Sequence, residues 1–259
     1  MRTKDLLTVL LLGTCGGVSG QAIDSVLVET YHVQSVDGGA PLVTYRIFID
    51  LAPGHELQMV YGDARNELEI ATSASFFNDQ VNGAAYGHRL RGSALDLSPA
   101  ALDSWLTIGA ASDGHWGVPR QLDPDGSVLH CPPYPDRTQL STLRAVATAP
   151  LCTSDGLIAR DSVRDVVEFR MSTAYLDRSS GAVLHTMDGA WAVLGGTPGI
   201  TDANVVLVGQ FTTSGDLRYR LNVQVRTPDK RVVRYVSTQA DGPDEVLFPQ
   251  LRGQVQQPR

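Results

Sequence analysis

From Val205 to Arg226 the order of apolar and polar residues gives the clearest structural signal in the chain. Val205 to Thr212 is rich in β-branched residues, and Thr213-Ser214-Gly215-Asp216 reads as a turn. Beyond it, Leu217, Tyr219, Leu221, Val223 and Val225 fall on one face, with Arg218, Arg220, Asn222, Gln224 and Arg226 on the other. One-for-one alternation predicts a strand with one side buried and one side in water, as in an antiparallel sheet. Two runs joined by a short Gly- and Asp-containing loop predict a hairpin.

The same pattern recurs along the chain. Residues 22–36 alternate Val26, Val28, Thr30 and His32 with Leu27, Glu29, Tyr31 and Val33, and Asp37-Gly38-Gly39 ends the run. Residues 42–51 place Tyr45, Ile47 and Ile49 on one face. Shorter strands are expected at 57–61, 68–73, 103–110, 163–172, 185–193 and 231–237. Residues 76–92 read as a long loop folded back on the sheet. Ser98-Pro99 caps one helical turn, and residues 111–160 are the least regular part, with a short helix expected at 137–147. Short strands separated by Gly, Pro, Asp and Asn predict an all-β fold. The expected architecture is an antiparallel β-sandwich, jelly-roll-like, with long loops and at most one or two short helices.

No linker divides the β-rich halves at 22–110 and 163–237, so residues 21–237 are expected to form one sandwich domain. Val205–Thr212 and Arg231–Ser237 are expected as edge strands open to strand addition. Residues 238–259 turn polar, with Pro243, Pro249 and a Gln-rich end, and are expected as a mobile tail.

Residues 1–20 read as a signal peptide. Arg2 and Lys4 supply a positive start, LLTVLLL from Leu6 to Leu12 is too short to span a bilayer, and Val18-Ser19-Gly20 offers small residues for cleavage. The alternative is a lipoprotein: Leu12-Gly13-Thr14-Cys15 resembles a lipobox, with Cys15 as the lipidated residue. Either way the protein is expected to be exported, to the periplasm or beyond, with a lipid-anchored envelope location as the variant. The net charge is −7, and losing Arg2, Lys4 and Asp5 with the leader takes it to −8. An acidic chain without a basic run gives no footprint for nucleic acid or for an anionic membrane surface. No stretch is long and apolar enough to predict a transmembrane segment. After Lys4 the only lysine is Lys230, so arginine carries nearly all the positive charge.

Leader removal leaves Cys131 and Cys152, and an even count in an exported chain predicts one disulfide. In the chain-entropy picture a loop of that size contributes about 3 kcal/mol. Asp123-Pro124-Asp125-Gly126-Ser127 opens like a calcium loop, with Asp123 and Asp125 as oxygen ligands. The twelfth position is Tyr134 rather than Glu, and the same residues make a plain β-turn, which is the expectation. No other cofactor is predicted.

His115 and Trp116, with Tyr86 and Tyr134, are candidates for gripping a sugar by stacking and hydrogen bonding. Phe76 and Phe77 extend that aromatic set, whereas Trp105 and Trp191 lie within strands and are expected in the core. Glu67 and Glu69 share a strand face, as glycosidase carboxylates would need a partner across a groove, but two acids on a wet face are ordinarily just solvated. No G-x-S-x-G elbow and no H-E-x-x-H occurs, and the six histidines show no ligand spacing. No catalytic residue is predicted.

Thr44-Tyr45-Arg46, Asp103-Ser104-Trp105-Leu106-Thr107-Ile108-Gly109, Asp188-Gly189-Ala190-Trp191 and Gln210-Phe211-Thr212-Thr213-Ser214-Gly215 occur in that order. Residues 44–226 thereby resemble an uncharacterised group of secreted β-rich proteins of environmental bacteria. In that group a TYR strand, a DSWxTIG strand and a DGxW…QFTTxG hairpin recur. The resemblance implies secretion and a β-rich fold and transfers no activity.

These readings converge on a secreted or envelope-associated, non-catalytic β-sandwich that binds or builds extracellular material, with polysaccharide or another envelope protein as partner. The alternatives are a jelly-roll carbohydrate-active hydrolase and a cell-envelope lipoprotein through Cys15.

Overall fold

The amphipathic runs fold as β1 (Ile23–Gln34), β2 (Leu42–Leu51), β3 (Glu56–Tyr61) and β4 (Leu68–Thr72). A loop-rich stretch follows, with one helical turn, α1 (Gly92–Leu95), and the short strands β5 (Trp105–Leu106), β6 (Ala110–Ser112), β7 (His115–Gly117) and β8 (Leu157–Ala159). Then come β9 (Val167–Phe169), β10 (Val183–Thr186), β11 (Ala190–Thr197), β12 (Val205–Thr213), β13 (Leu217–Arg220), β14 (Val223–Arg226), β15 (Val232–Val236), β16 (Glu245–Leu247) and β17 (Arg252–Val255). The computed structural model describes residues 21–36, 38–95, 99–126, 128–129, 154–173, 176 and 181–257. The leader expected at 1–20 with Cys15, Ser127, the cysteines of the disulfide expected between Cys131 and Cys152, Tyr134 and the helix expected at 137–147 lie outside the described residues.

The fold is all-β and sandwich-like, and its strands form three larger sheets and one small one. A central sheet runs β1-β2-β12-β5. Facing it are a four-stranded sheet, β10-β4-β13-β17, and a six-stranded sheet, β16-β15-β14-β3-β11-β9. Tyr45, Ile47, Ile49, Val206 and Val208 of the central sheet share the main core with Ile70, Leu217, Val223 and Trp191 of the two facing sheets. The pairing is antiparallel throughout these sheets except for β15 with β16, which is parallel. No helix among the described residues is long and apolar enough to cross a membrane.

The central sheet is covered on its other face too. Phe48, Val205 and Leu207 pack there against Leu90, Leu95, Trp105 and Leu157, from the loop-rich stretch between β4 and β9. This explains why β12 is buried at every position and reads as a nearly continuous apolar run rather than an alternating one.

Arg46 ties that covering layer down. Its Nε donates to Gln210 Oε1 at 2.8 Å, and one terminal nitrogen donates to the backbone oxygens of Gly156 (3.2 Å) and Asp155 (3.4 Å). Its guanidinium lies 3.4 Å from the centre of the Tyr31 ring, and the Tyr31 hydroxyl donates to the Asp155 carbonyl at 2.6 Å. A buried cation thus replaces water with carbonyls, an amide and a π face.

Five expectations are corrected. Thr213 to Asp216 does not close a hairpin, because β12 pairs with β2 and β5 whereas β13 pairs with β4 and β17. The turn is a corner that carries the chain from one layer to the other. The strand expected from Leu217 to Arg226 is broken at Leu221 and Asn222, and its two halves join different sheets. Asn222, read as solvent-facing, is fully buried. Its Nδ2 donates to the carbonyls of Tyr61 (3.1 Å) and Asn66 (2.7 Å), and its Oδ1 accepts the Ser237 N–H at 3.2 Å.

The expected edges are likewise interior, with β12 between β2 and β5 and β15 between β14 and β16. The long strand at an edge of the central sheet is β1. Finally, the stretch expected as a mobile tail supplies β16 and β17. Phe248 and Leu251 are buried, and Leu251 accepts the Leu221 N–H at 2.8 Å through its carbonyl. Two apolar anchors in a polar sequence are enough to dock it.

Candidate functional site

The outward face of the β10-β4-β13-β17 sheet collects most of its charge. Leu68, Ile70, Leu184, Leu217 and Tyr219 turn into the core, so the alternate residues must face out. Strand register arranges these in two rows. One runs His185, Glu69, Arg220, Arg252 and the other Val183, Ala71, Arg218, Gln254. Glu69, Arg218, Arg220, Arg252 and Gln254 line a groove of about 510 Å³, with Tyr219 and Gly253 at its floor.

Charges in the groove are unevenly matched. Arg220 donates to Glu67 Oε2 at 3.0 Å, and His185 Nε2 lies 3.4 Å from the same oxygen. Arg220 and Arg252 are direct cross-strand partners, and like charges placed opposite each other oppose strand pairing. The Glu67 contact offsets that repulsion on the Arg220 side alone. Arg218 and Arg252 are both exposed, and neither side chain has a hydrogen bond or ion pair among the described residues. Two guanidinium forks therefore stand in the groove with their donors directed to solvent.

Two other grooves carry less unmatched charge. One, of about 480 Å³, runs beside β1, where Glu29 Oε1 already accepts the Arg120 N–H at 2.8 Å. The second, of about 550 Å³, is largely apolar, with Tyr235, Val246 and Leu247 in its walls. Ala22 also lines it, and the Ala22 N–H donates to the Tyr235 hydroxyl at 2.8 Å.

The residues singled out by sequence are not brought together at a surface. Trp116 is 4 % exposed and closes over Gly109, whose φ of +90° and missing side chain make room for the indole. Tyr86 is fully buried; burial first, then the neighbouring Glu168 carboxylate, pushes its hydroxyl well above the usual range. His115 sits at the β6–β7 turn, its Nδ1 at 2.7 Å from Ser112 Oγ. Trp116 and Tyr86 are thus core residues in this fold, and Tyr134 lies outside the described residues.

Asp123 and Asp125 form a turn held by the chain's own donors. Asp123 Oδ1 accepts the Asp125 N–H at 3.2 Å, and Oδ2 accepts the Gly156 N–H at 2.9 Å. Among the described residues no three His, Cys, Asp or Glu side chains gather as a metal would require.

Arg218 and Arg220 were legible as part of a wet face, yet as two cations among several. Arg252 was not, since its neighbours read as tail. The alternation of Arg252 and Gln254 with Val255 is the one local trace of β17. No family model, no curated protein and no solved structure matches the chain.

Proposed function

We propose that this chain is an exported, non-catalytic β-sandwich protein that binds extracellular polymer, with the arginine groove as its contact surface. The observation that carries this reading is the pair of unmatched guanidinium groups of Arg218 and Arg252 on a solvent-facing sheet. A cation without a partner gains little for the fold and is available to a ligand. The leader expected at 1–20 supports export, and cleavage after Gly20 would keep the buried residues Ala22 and Ile23 on the mature chain. A sheet face with an open groove suits an extended chain laid across several strands.

Co-sedimentation of the secreted chain with insoluble envelope and matrix polysaccharides, followed by thermal-shift titration with soluble ones, tests the reading. A bound polymer raises the melting temperature with concentration, and its length stays unchanged. Failure to bind any polymer overturns the reading, and so does the appearance of new reducing ends.

A further inference from the structure

Resting on the binding function proposed above, we infer that the groove takes an acidic polysaccharide, whose carboxylate or sulfate groups are gripped by Arg218 and Arg252. Guanidinium is planar and presents paired donors that match the two oxygens of such groups. Arg252 stands opposite Arg220, and Arg218 is two residues along β13. Arg218 and Arg252 are therefore diagonal neighbours, with backbones roughly 7–8 Å apart. Two forks at that spacing suit two anionic groups on one chain better than a single small anion.

The remaining groove residues fit the hydroxyls of a sugar acid. Gln254 lies opposite Arg218 and offers both donor and acceptor, and Glu69 lies opposite Arg220 and accepts. The same carboxylates argue against more densely charged partners. Glu67 and Glu69 border the arginines, and the whole chain is acidic at −7, so duplex DNA, with one charge per about 1.7 Å of its axis over both strands, would be repelled outside the groove. Single-stranded nucleic acid also needs exposed aromatic rings for stacking. The groove's aromatic residue, Tyr219, is buried with its ring toward the core. Anionic lipid surfaces attract runs of about four to eight basic residues, more than this face holds.

The test titrates the secreted chain with polygalacturonate and chondroitin sulfate, alongside neutral dextran, phosphatidylserine vesicles and a single-stranded oligonucleotide. Binding to the acidic polymers is expected to weaken with added salt. R218E/R252E should lower their affinity about tenfold or more. K230E/R160E, an equal charge change at exposed positions elsewhere, should leave it unchanged. R218Q/R252Q, which removes charge without reversing it, serves if the reversal impairs folding.

Equal losses in the groove and control variants would reduce the effect to net charge and overturn the inference. Binding of neutral dextran that survives R218E/R252E would remove both the acidic ligand and the arginine groove as contact surface, leaving only polymer binding through another face. Tighter binding of vesicles or oligonucleotide than of either acidic polymer would also overturn it. No binding to any polymer would remove the binding function itself.

Discussion

Asp103 Oδ1 accepts the backbone N–H of Asp79 at 2.7 Å, pinning the loop after β4 to the start of β5. Its other oxygen accepts the Ala84 N–H at 2.9 Å, and Asp79 turns its own Oδ1 to the N–H groups of Val81 (3.0 Å) and Asn82 (3.2 Å). One buried carboxyl thereby organises the loop that was expected to fold back on the sheet. Burial pushes Asp103 up to about 8, against the opposing pull of those N–H donors. In β1, burial holds His32 down to about 4, with the Arg120 charge acting in the same direction.

The two groups give opposite pH dependences. Between the ordinary carboxyl value of 3.8 and about 8, folded Asp103 keeps a proton that the unfolded chain has lost, so its contribution to stability falls as pH rises. Between 6.5 and about 4, unfolded His32 takes a proton that the folded chain refuses, so stability falls as pH drops. Relative to the parent, D103N should gain stability with rising pH across the first window. H32Q should gain with falling pH across the second. Urea titrations at several pH values measure both, and curves parallel to the parent's would contradict the assignment.

Removing Arg46 should loosen the covering layer. R46M leaves Gln210 Oε1 without its donor and takes one of two hydrogen bonds from the carbonyls of Asp155 and Gly156, which keep the Tyr31 hydroxyl and the Val118 N–H, at a cost of about 2–4 kcal/mol. R46K should not restore the loss, because an ammonium group cannot reach all three acceptors in the guanidinium's plane. Denaturant midpoints report the change, and a loss below about 1 kcal/mol would mean that water takes over these contacts.

Trp116 is expected to act through packing. W116A should cost about 3–5 kcal/mol as a core truncation. G109A should also destabilise, since an added Cβ would lie 2.0 Å from the indole and the backbone φ is +90°. A sugar-stacking Trp116 would instead leave the melting temperature nearly unchanged when truncated.

The docked C-terminal stretch makes a further prediction. L251A should destabilise by about 2–4 kcal/mol, as expected for a fully buried leucine. In a mobile tail the same change would have no measurable effect on thermal unfolding.

The parts of the fold that sequence made legible are those where one face meets water. β13 and β14 alternate as expected, and Tyr45, Ile47 and Ile49 do share a core face. What failed was partnership. A turn such as Thr213–Asp216 looks the same whether its strands pair with each other or enter different layers, because local residues fix the bend and distant ones fix the pairing. Asn222 was misplaced for a similar reason: its burial depends on carbonyls of Tyr61 and Asn66 more than 150 positions away. The groove was half visible, as Arg218 and Arg220 mark an outer face, but only register across β17 brings Arg252 beside them.

That register also sets a clock. Arg218 and Arg220 lie on β13, and Arg252 arrives on the last described strand. A chain made from its N-terminus, and exported as proposed, therefore has no Arg218–Arg252 pair until residues 252–255 emerge and zip onto β13. Until then Glu67 and Glu69 are nearly a match for the two arginines present. Under the proposed binding role, a polymer meets a competent site only on molecules that have docked β17, and a partly released chain is not captured by its own ligand.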